Sequence, residues 1–159
     1  HARERTLSQR GTFRYLVAGL EGLLEEVNTA LDGRFAVHRW GAGDVQPPAC
    51  WLWLDDGETA NDDLGCQVTD KLTWKLIFAV PPRAGGPGDD LLDIEEIVDV
   101  AVPIIDRAMR DSIDRLGVRT AARIGLSVGA RPLGDASITR LELLVSTAWE
   151  HRIPDPIGG

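Results

Sequence analysis

The chain has few of the residue types that mark common catalytic and metal-binding sites. It contains two cysteines and three histidines in 159 residues. Two cysteines do not make a secreted disulfide framework, and the histidines and cysteines match no zinc motif such as HExxH or CxxC. We therefore expect a domain that folds on its hydrophobic core alone and carries no metal or cofactor.

Basic residues are also in short supply. There are 17 Lys and Arg against 25 Asp and Glu, which gives a formal net charge of −8. Tight binding to a phosphate backbone relies on dense positive charge, so the composition argues against a nucleic-acid-binding protein. An acidic surface would suit the wall of a channel that DNA traverses, although plain solubility explains the same charge.

No run of 18 apolar residues, the minimum for a membrane-spanning helix, occurs in the sequence. The first residues, His1 to Arg5, are charged and do not resemble a signal peptide. We therefore expect a soluble protein that is made in the cytoplasm and has no membrane partner.

Two helices are predicted from apolar residues at helical spacing. The first runs from about Thr12 to Leu31 and is stopped by Asp32-Gly33. The second begins at Asp89-Asp90, whose carboxylates favour a helix start, and ends at Gly117. Pro103 lies inside it and is expected to kink it or split it in two.

Alternating apolar and polar residues predict five strands. These strands are residues 34–40, 49–54, 66–80, 123–131 and 140–150. The order is helix, strand, strand, long strand, helix, strand, strand. It predicts an α+β domain with a mainly antiparallel sheet of about five strands and both principal helices on one face. One domain is expected over residues 1–153, with 154–159 as an extended C-terminal arm.

The strand from Cys66 to Val80 is unusually long. Its fifteen residues would span roughly 50 Å at ~3.3 Å each, whereas ordinary strands have about 5–6 residues. Pairing it with the preceding strand about a turn near Ala60 places Trp53 opposite Cys66. Part of this hairpin is expected to project beyond the body of the domain. Cys50 and Cys66 are expected to be small buried hydrophobes.

None of the polar clusters matches a catalytic or ligand-binding pattern. The carboxylates between residues 55 and 63 lack the alternation and the final glutamate of a calcium loop. They are interpreted as a solvated hairpin tip, or alternatively as a contact for a basic partner. The glycine-rich residues 85–88 lack the Lys and Ser/Thr of a phosphate loop, and the acidic residues after them would repel phosphate.

Tryptophans on the predicted hairpin indicate a different kind of site. Trp51 and Trp53 point to one face of their strand, because alternate residues share a face. One face of the hairpin should enter the core. The other is either covered by a helix of the same chain or serves as an interface, since aromatic residues are enriched where subunits meet. The predicted subunit-interface residues are Trp51, Trp53, Asp55, Asp56, Asp70 and Trp74.

Five features together define a recognisable layout. They are the amphipathic first helix, the strand entry Pro47-Pro48-Ala49-Cys50-Trp51, the strand Trp74-Lys75-Leu76-Ile77-Phe78-Ala79-Val80, the acidic start of the second helix and the closing β-hairpin. This layout, over nearly the whole chain, resembles the tail terminator proteins of long-tailed bacteriophages, which share a fold with some neck proteins. Pro103 and the C-terminal arm are departures from it.

The resemblance implies a structural virion protein with no catalytic residues. In that family a ring of subunits, hexameric as a rule, caps the tail tube and joins it to the head. The implied partners are copies of the chain itself, the major tail tube protein and the head–tail connector or neck protein, with DNA only as passing cargo. The implied location is the tail-neck region of the virion, after synthesis in the host cytoplasm. The alternatives are another connector or head-completion protein and, from a different class, a small cytosolic α+β binding or regulatory domain.

Overall fold

The structure is a computed structural model that describes residues 10–38, 46–61, 66–82, 87–133 and 136–152. The predicted order of two principal helices and five strands is confirmed, and a short third helix is added. The predicted arm at 154–159 lies outside the described residues. The elements are α1 (Phe13–Ala30), β1 (Ala36–His38), β2 (Ala49–Asn61), β3 (Gln67–Val80), α2 (Pro87–Arg110), α3 (Ser112–Leu116), β4 (Thr120–Leu133) and β5 (Ala136–Arg152).

The five strands form one mixed sheet in the order β1-β2-β3-β5-β4. Only the short strand β1 pairs in parallel, and it covers no more than residues 49–51 of β2. The four long strands are antiparallel to their neighbours. The expectation of a mainly antiparallel α+β sheet is therefore confirmed.

Helix α1 has a cap, an apolar stripe and a stop that its sequence supplies. The Thr12 hydroxyl accepts a hydrogen bond from the backbone N–H of Tyr15 at 3.1 Å, which satisfies one of the free donors at the helix start. Asp32 and Gly33 follow the helix with φ of 62° and 64°, a left-handed conformation that ends it. The stripe that it buries comprises Leu16, Leu20, Leu23, Leu24, Val27 and Leu31.

Of the two outcomes expected at Pro103, a kink or a split of the second helix, the split does not occur. Helix α2 runs through Pro103 without interruption and ends at Arg110. Pro103 lies on the exposed side of the helix, while Ala101 and Ile105 on either side of it are fully buried. Proline removes one backbone hydrogen bond, and the buried apolar face holds the helix together across that loss. The break comes at Asp111, followed by α3 and by Gly117 with φ of 71°.

Both long helices pack on one face of the sheet, which we call the helix face. Trp74 and Phe78 of β3 are fully buried there between the helices and the neighbouring strands. The Trp74 indole N–H donates to the Thr147 hydroxyl of β5 at 3.0 Å, so its polar atom is satisfied inside the core. The other core residues of the strands on this face are Cys50, Leu52, Leu72, Leu76, Val80, Leu141, Leu143 and Val145.

The predicted register of the β2–β3 hairpin is wrong, because β2 is longer than its polarity suggests. Trp53 lies opposite Lys75 and not opposite Cys66, and pairing continues as far as Asn61 with Val68. The polar residues 55–61 look like a loop in sequence, but their backbone groups bond to β3. A bulge leaves Asp55 without a partner residue in β3, so that Leu54 pairs with Trp74 and Asp56 with Thr73.

Strand β3 has nearly the length that the alternating residues predicted. It does not project from the sheet as an unaccompanied strand. Strand β5 pairs with it residue by residue from Gln67–Arg152 to Val80–Thr139. The expected projecting hairpin is therefore flanked by β5 over its whole length, while β4 stops level with Lys71.

Two glycines of α1 provide a matched test of the helix packing. A Cβ at Gly19 would lie 2.5 Å from the Arg115 carbonyl oxygen and 3.0 Å from Leu116 Cδ2 of α3, whereas a Cβ at Gly22 meets nothing within 4 Å. We expect Gly19→Ala to lower the free energy of unfolding by about 1–3 kcal/mol through overpacking. Gly22→Ala should raise it by up to about 1 kcal/mol, the usual gain in helix propensity. Urea denaturation followed by circular dichroism checks both, and equal stability of the two variants would contradict the close packing of α1 on α3.

Candidate subunit interface

The sheet ends in two long edges that have no partner strand in the described part of the chain. One edge is β4, which pairs only with β5. The other is β2 from residue 52 onwards, because β1 stops at Trp51. Each edge presents a row of backbone N–H and C=O groups that can pair with another strand.

Exposed apolar side chains are concentrated on these same edges. Of the large apolar residues that the structure shows exposed, Val37 and Trp53 lie on the β1–β2 side, and Ile124, Leu126 and Val128 lie on β4. The others are on helices α2 and α3. Apolar groups grouped at unpaired strands are typical of surfaces that bind another protein.

Both free edges contain a β-bulge, and the two bulges lie at nearly the same height in the sheet. One falls between Leu54 and Asp56, the other between Arg123 and Gly125. Leu54 and Arg123 are in one row, connected through Trp74 and Val145. Bulges increase the local twist of a strand, so both edges are bent at the same level.

The face of the sheet opposite the helices, which we call the second face, carries a compact network of charges. Lys75 Nζ lies 2.9 Å from Glu142 Oε1 and 3.6 Å from Asp55 Oδ1. The hydrogen bond to Glu142 is the main reason why the pKa of Lys75 is raised. The Arg140 guanidinium lies 5.0 Å from the centre of the Trp51 ring, a cation–π contact. Charged groups thus pack against an apolar ring on this face.

The three tryptophans that were predicted for the interface lie in three different environments. Trp51 and Trp53 share the second face, as alternation predicted. Trp51 is nevertheless buried, in a small cluster with Ile77 and Ile138, whereas Trp53 is 43% exposed. Trp74 is completely buried on the helix face. Including Trp74 among surface contacts was therefore wrong, because helices of its own chain cover it, and Trp53 is the tryptophan available to a partner.

The two acidic residues predicted for the interface are both exposed on β2. Asp55 lies at the bulge and is held near Lys75. Asp56 follows the bulge, and its side chain accepts a hydrogen bond from the backbone N–H of Gly57 at 2.8 Å. Asp62 and Asp63, which the sequence grouped with them, lie outside the described residues. The interpretation of residues 55–61 as a hairpin tip is corrected, since they form an edge strand.

Asp70 joins three strands on the helix face. One carboxylate oxygen accepts a hydrogen bond from the Thr59 hydroxyl of β2, and the other lies 2.7 Å from His151 Nε2 of β5. The bond from Thr59, followed by the contact with His151, lowers the pKa of Asp70. Asp70 was predicted as an interface residue. In the structure its carboxylate is a polar link within the chain, held by Thr59 and His151.

Sequence reasoning missed the role of His151, which directly follows the predicted strand 140–150 and was assigned no role. His151 belongs to the same alternating series as Leu141, Leu143 and Val145, so its direction was readable from the sequence. What was missing was the register that brings it diagonally beside Asp70. Its ring stacks on Trp149 with 4.1 Å between ring centres.

The same aromatic group attaches the start of α1 to the sheet. The Trp149 indole N–H donates to the Gly11 carbonyl oxygen at 2.9 Å. Phe13 packs against Trp149 and Trp74, with 5.4 and 5.8 Å between ring centres. These contacts position the first turn of the helix over the paired strands β3 and β5.

The two cysteines differ in environment. Cys50 is buried, and burial raises the pKa of its thiol to about 12, so it is an inert core residue. Cys66 is exposed at the start of β3. The expectation that both are buried is therefore correct for Cys50 and wrong for Cys66, which lies beyond the packed part of the sheet.

Comparison with models of known protein families and with curated proteins finds no match for this sequence. In the described ranges, no group of three or more His, Cys, Asp and Glu side chains is arranged to hold a metal ion. None of the described helices is long and apolar enough to cross a membrane.

The Asp70 link predicts an acid-dependent contribution to stability. Because its pKa is lowered in the folded state, Asp70 stabilises the fold above the unfolded pKa of about 3.9, and this contribution is lost as the pH falls through the lower folded value. We expect Asp70→Asn to lower the free energy of unfolding by about 1–2 kcal/mol at neutral pH. The difference in the free energy of unfolding between Asp70→Asn and wild type should shrink towards zero at the lowest pH values measured.

Urea denaturation of both proteins at several pH values measures this difference. Asp99→Asn, an exposed substitution on α2, is the control and should show no such trend. If the free energy of unfolding of Asp70→Asn is lower than that of wild type by the same amount at every pH, the proposed contribution of the Asp70 carboxylate is contradicted.

Proposed function

We propose that this chain is a structural virion protein, a tail terminator subunit that forms a ring with copies of itself. The ring, hexameric as in the family that the chain resembles, caps the tail tube and joins it to the neck. The observation that carries the proposal is the pair of free edges, residues 52–61 and 120–133, which lack partner strands within the described chain. Long unpaired edges favour pairing with another chain.

The fold and the charge agree with this role. The order of helices and strands is the one on which the resemblance rests. The four long strands give the subunit a stiff sheet, which suits a component that transmits load between a tail and a head. The net charge of −8 would keep DNA from adhering as it passes. The partners beyond the ring would be the major tail tube protein and the connector or neck protein.

The mass in solution tests ring formation. Light scattering coupled to gel filtration should give a multiple of the 17.3 kDa subunit mass, six-fold for the expected hexamer, and negative-stain microscopy should show closed rings. A chain that stays monomeric at every concentration, alone and in the presence of purified tail tubes, would contradict the proposal. It would favour the small α+β binding domain instead.

The genomic position of the gene tests the virion role separately from oligomerisation. We expect the gene to lie beside genes for a major tail tube protein and for head–tail connector components, because such parts are assembled together. Reading the flanking genes is sufficient. A position inside a metabolic operon would rule out the virion role even for a ring-forming protein.

A further inference from the structure

We propose that copies of the chain bind head to tail along the sheet, with β4 of one copy pairing antiparallel with residues 52–61 of β2 in the next. This inference rests on the proposed function, because it names the two surfaces by which the ring would close. The interface is heterologous: two different edges meet, so that each subunit uses one edge on each side.

Strand direction supports this pairing. Each of the four long strands runs opposite to its neighbour, so β4 runs opposite to β2. A second copy rotated about an axis roughly along the strands would place its β2 antiparallel to the first copy's β4. The new pair would thus have the geometry of the other long pairs, and the helices of both copies would stay on the same side of the sheet.

Charge favours this combination of edges over a symmetric one. Residues 52–61 contain Asp55, Asp56 and Glu58 and no basic residue, whereas residues 119–130 contain Arg119 and Arg123 and no acidic residue. Two β2 edges would bring together like charges, which repel across strands, whereas β2 and β4 carry opposite charges.

Some of these charges already have partners inside the subunit. Arg123 Nε lies 2.9 Å from Asp106, and Asp55 lies 3.6 Å from Lys75. Asp56, Glu58 and Arg119 form no ion pair with any residue that the structure describes. These three are the charges available for attraction between copies.

Both edges carry exposed apolar groups, and most of β4 lacks the residues that usually protect an edge strand, although β4 contains the bulge after Arg123 and, near its end, Pro132. Between residues 120 and 130 there is no lysine and no proline, the residues that commonly block edge-to-edge pairing. Leu126 and Val128 on β4 are 47% and 46% exposed and lie on the helix face, as Leu54 of β2 does, whereas Trp53 is 43% exposed on the second face. In a pair that keeps the helices of both copies on one side, Leu126 and Val128 would therefore share a face with Leu54 and not with Trp53. Strand β1 already occupies the outer side of residues 49–51, which confines the pairing on that edge to residues 52–61.

Two edge-blocked variants test the inference. Leu126→Lys with Val128→Lys blocks the β4 edge, and Trp53→Lys with Asp56→Lys blocks the β2 edge. All four positions are exposed, so both variants should fold. Ile113→Lys, at a position on α3 that is 55% exposed and belongs to neither edge strand, is the control and should assemble like wild type.

Each edge-blocked variant alone should be monomeric by light scattering at concentrations where wild type assembles. An equal mixture of the two should form a dimer of twice the subunit mass and nothing larger. In that mixture the intact β4 of one variant meets the intact β2 of the other, and the two remaining edges are both blocked.

The other outcomes distinguish a failure of the head-to-tail pairing from a failure of the proposed function. If the β2-blocked variant dimerises by itself, β4 pairs with a second β4, and the head-to-tail arrangement is overturned. If both variants still form rings, the interface lies elsewhere although the proposed function stands. A wild-type chain that never assembles overturns the proposed function and this inference together.

Discussion

The pairing of β3 with β5 is the constraint on which the rest of the structure depends. It is unbroken from Gln67–Arg152 to Val80–Thr139, and it has no bulge, whereas both outer pairs of long strands have one. Because side chains alternate strictly along such a pair, one register decides which residues enter the core and which face away. A shift by one residue would expose Trp74 and Phe78 and bury Lys75 in their place. The packing of the helices on the sheet therefore depends on the register of this central pair.

The outer strands β2 and β4 differ from the central pair because each is hydrogen-bonded to another long strand on one side only. The central strands bury large side chains on the helix face, while β2 beyond residue 54 and most of β4 are exposed. Their backbone groups are unpaired on the outer side within the described chain, and their side chains combine exposed apolar groups with opposite charges. The central strands thus have a partner strand on both sides, whereas β4 and most of β2 have one on a single side within the described chain. This is the physical basis for assigning the edges, and not a pocket, to function.

Local patterns in the sequence predicted the parts of the fold that depend on local alternation. The helices, the length of the third strand and the shared face of Trp51 and Trp53 follow from spacing alone. The register of β2 does not, because a polar stretch forms a strand only when a long neighbour offers backbone partners. The same limit explains the wrong placement of Trp74. The predicted register, with Trp53 opposite Cys66, puts Trp74 on the same face as Trp53, and only the observed pairing of Trp53 with Lys75 turns Trp74 towards the helices. The link between Asp70 and His151 joins residues 81 positions apart, so no local pattern could reveal it.

The central claim is that the two free edges of the sheet are the surfaces on which copies of this chain meet. Amide hydrogen exchange measures this directly, because a backbone N–H that pairs with another strand exchanges slowly. The comparison is between wild type under assembling conditions and a variant blocked at both edges. The account predicts that assembly slows exchange within residues 52–61 and 120–130 and leaves β3, β5 and the helices unchanged. Slower exchange on the outer surfaces of α2 and α3, with no change at either edge, would contradict it.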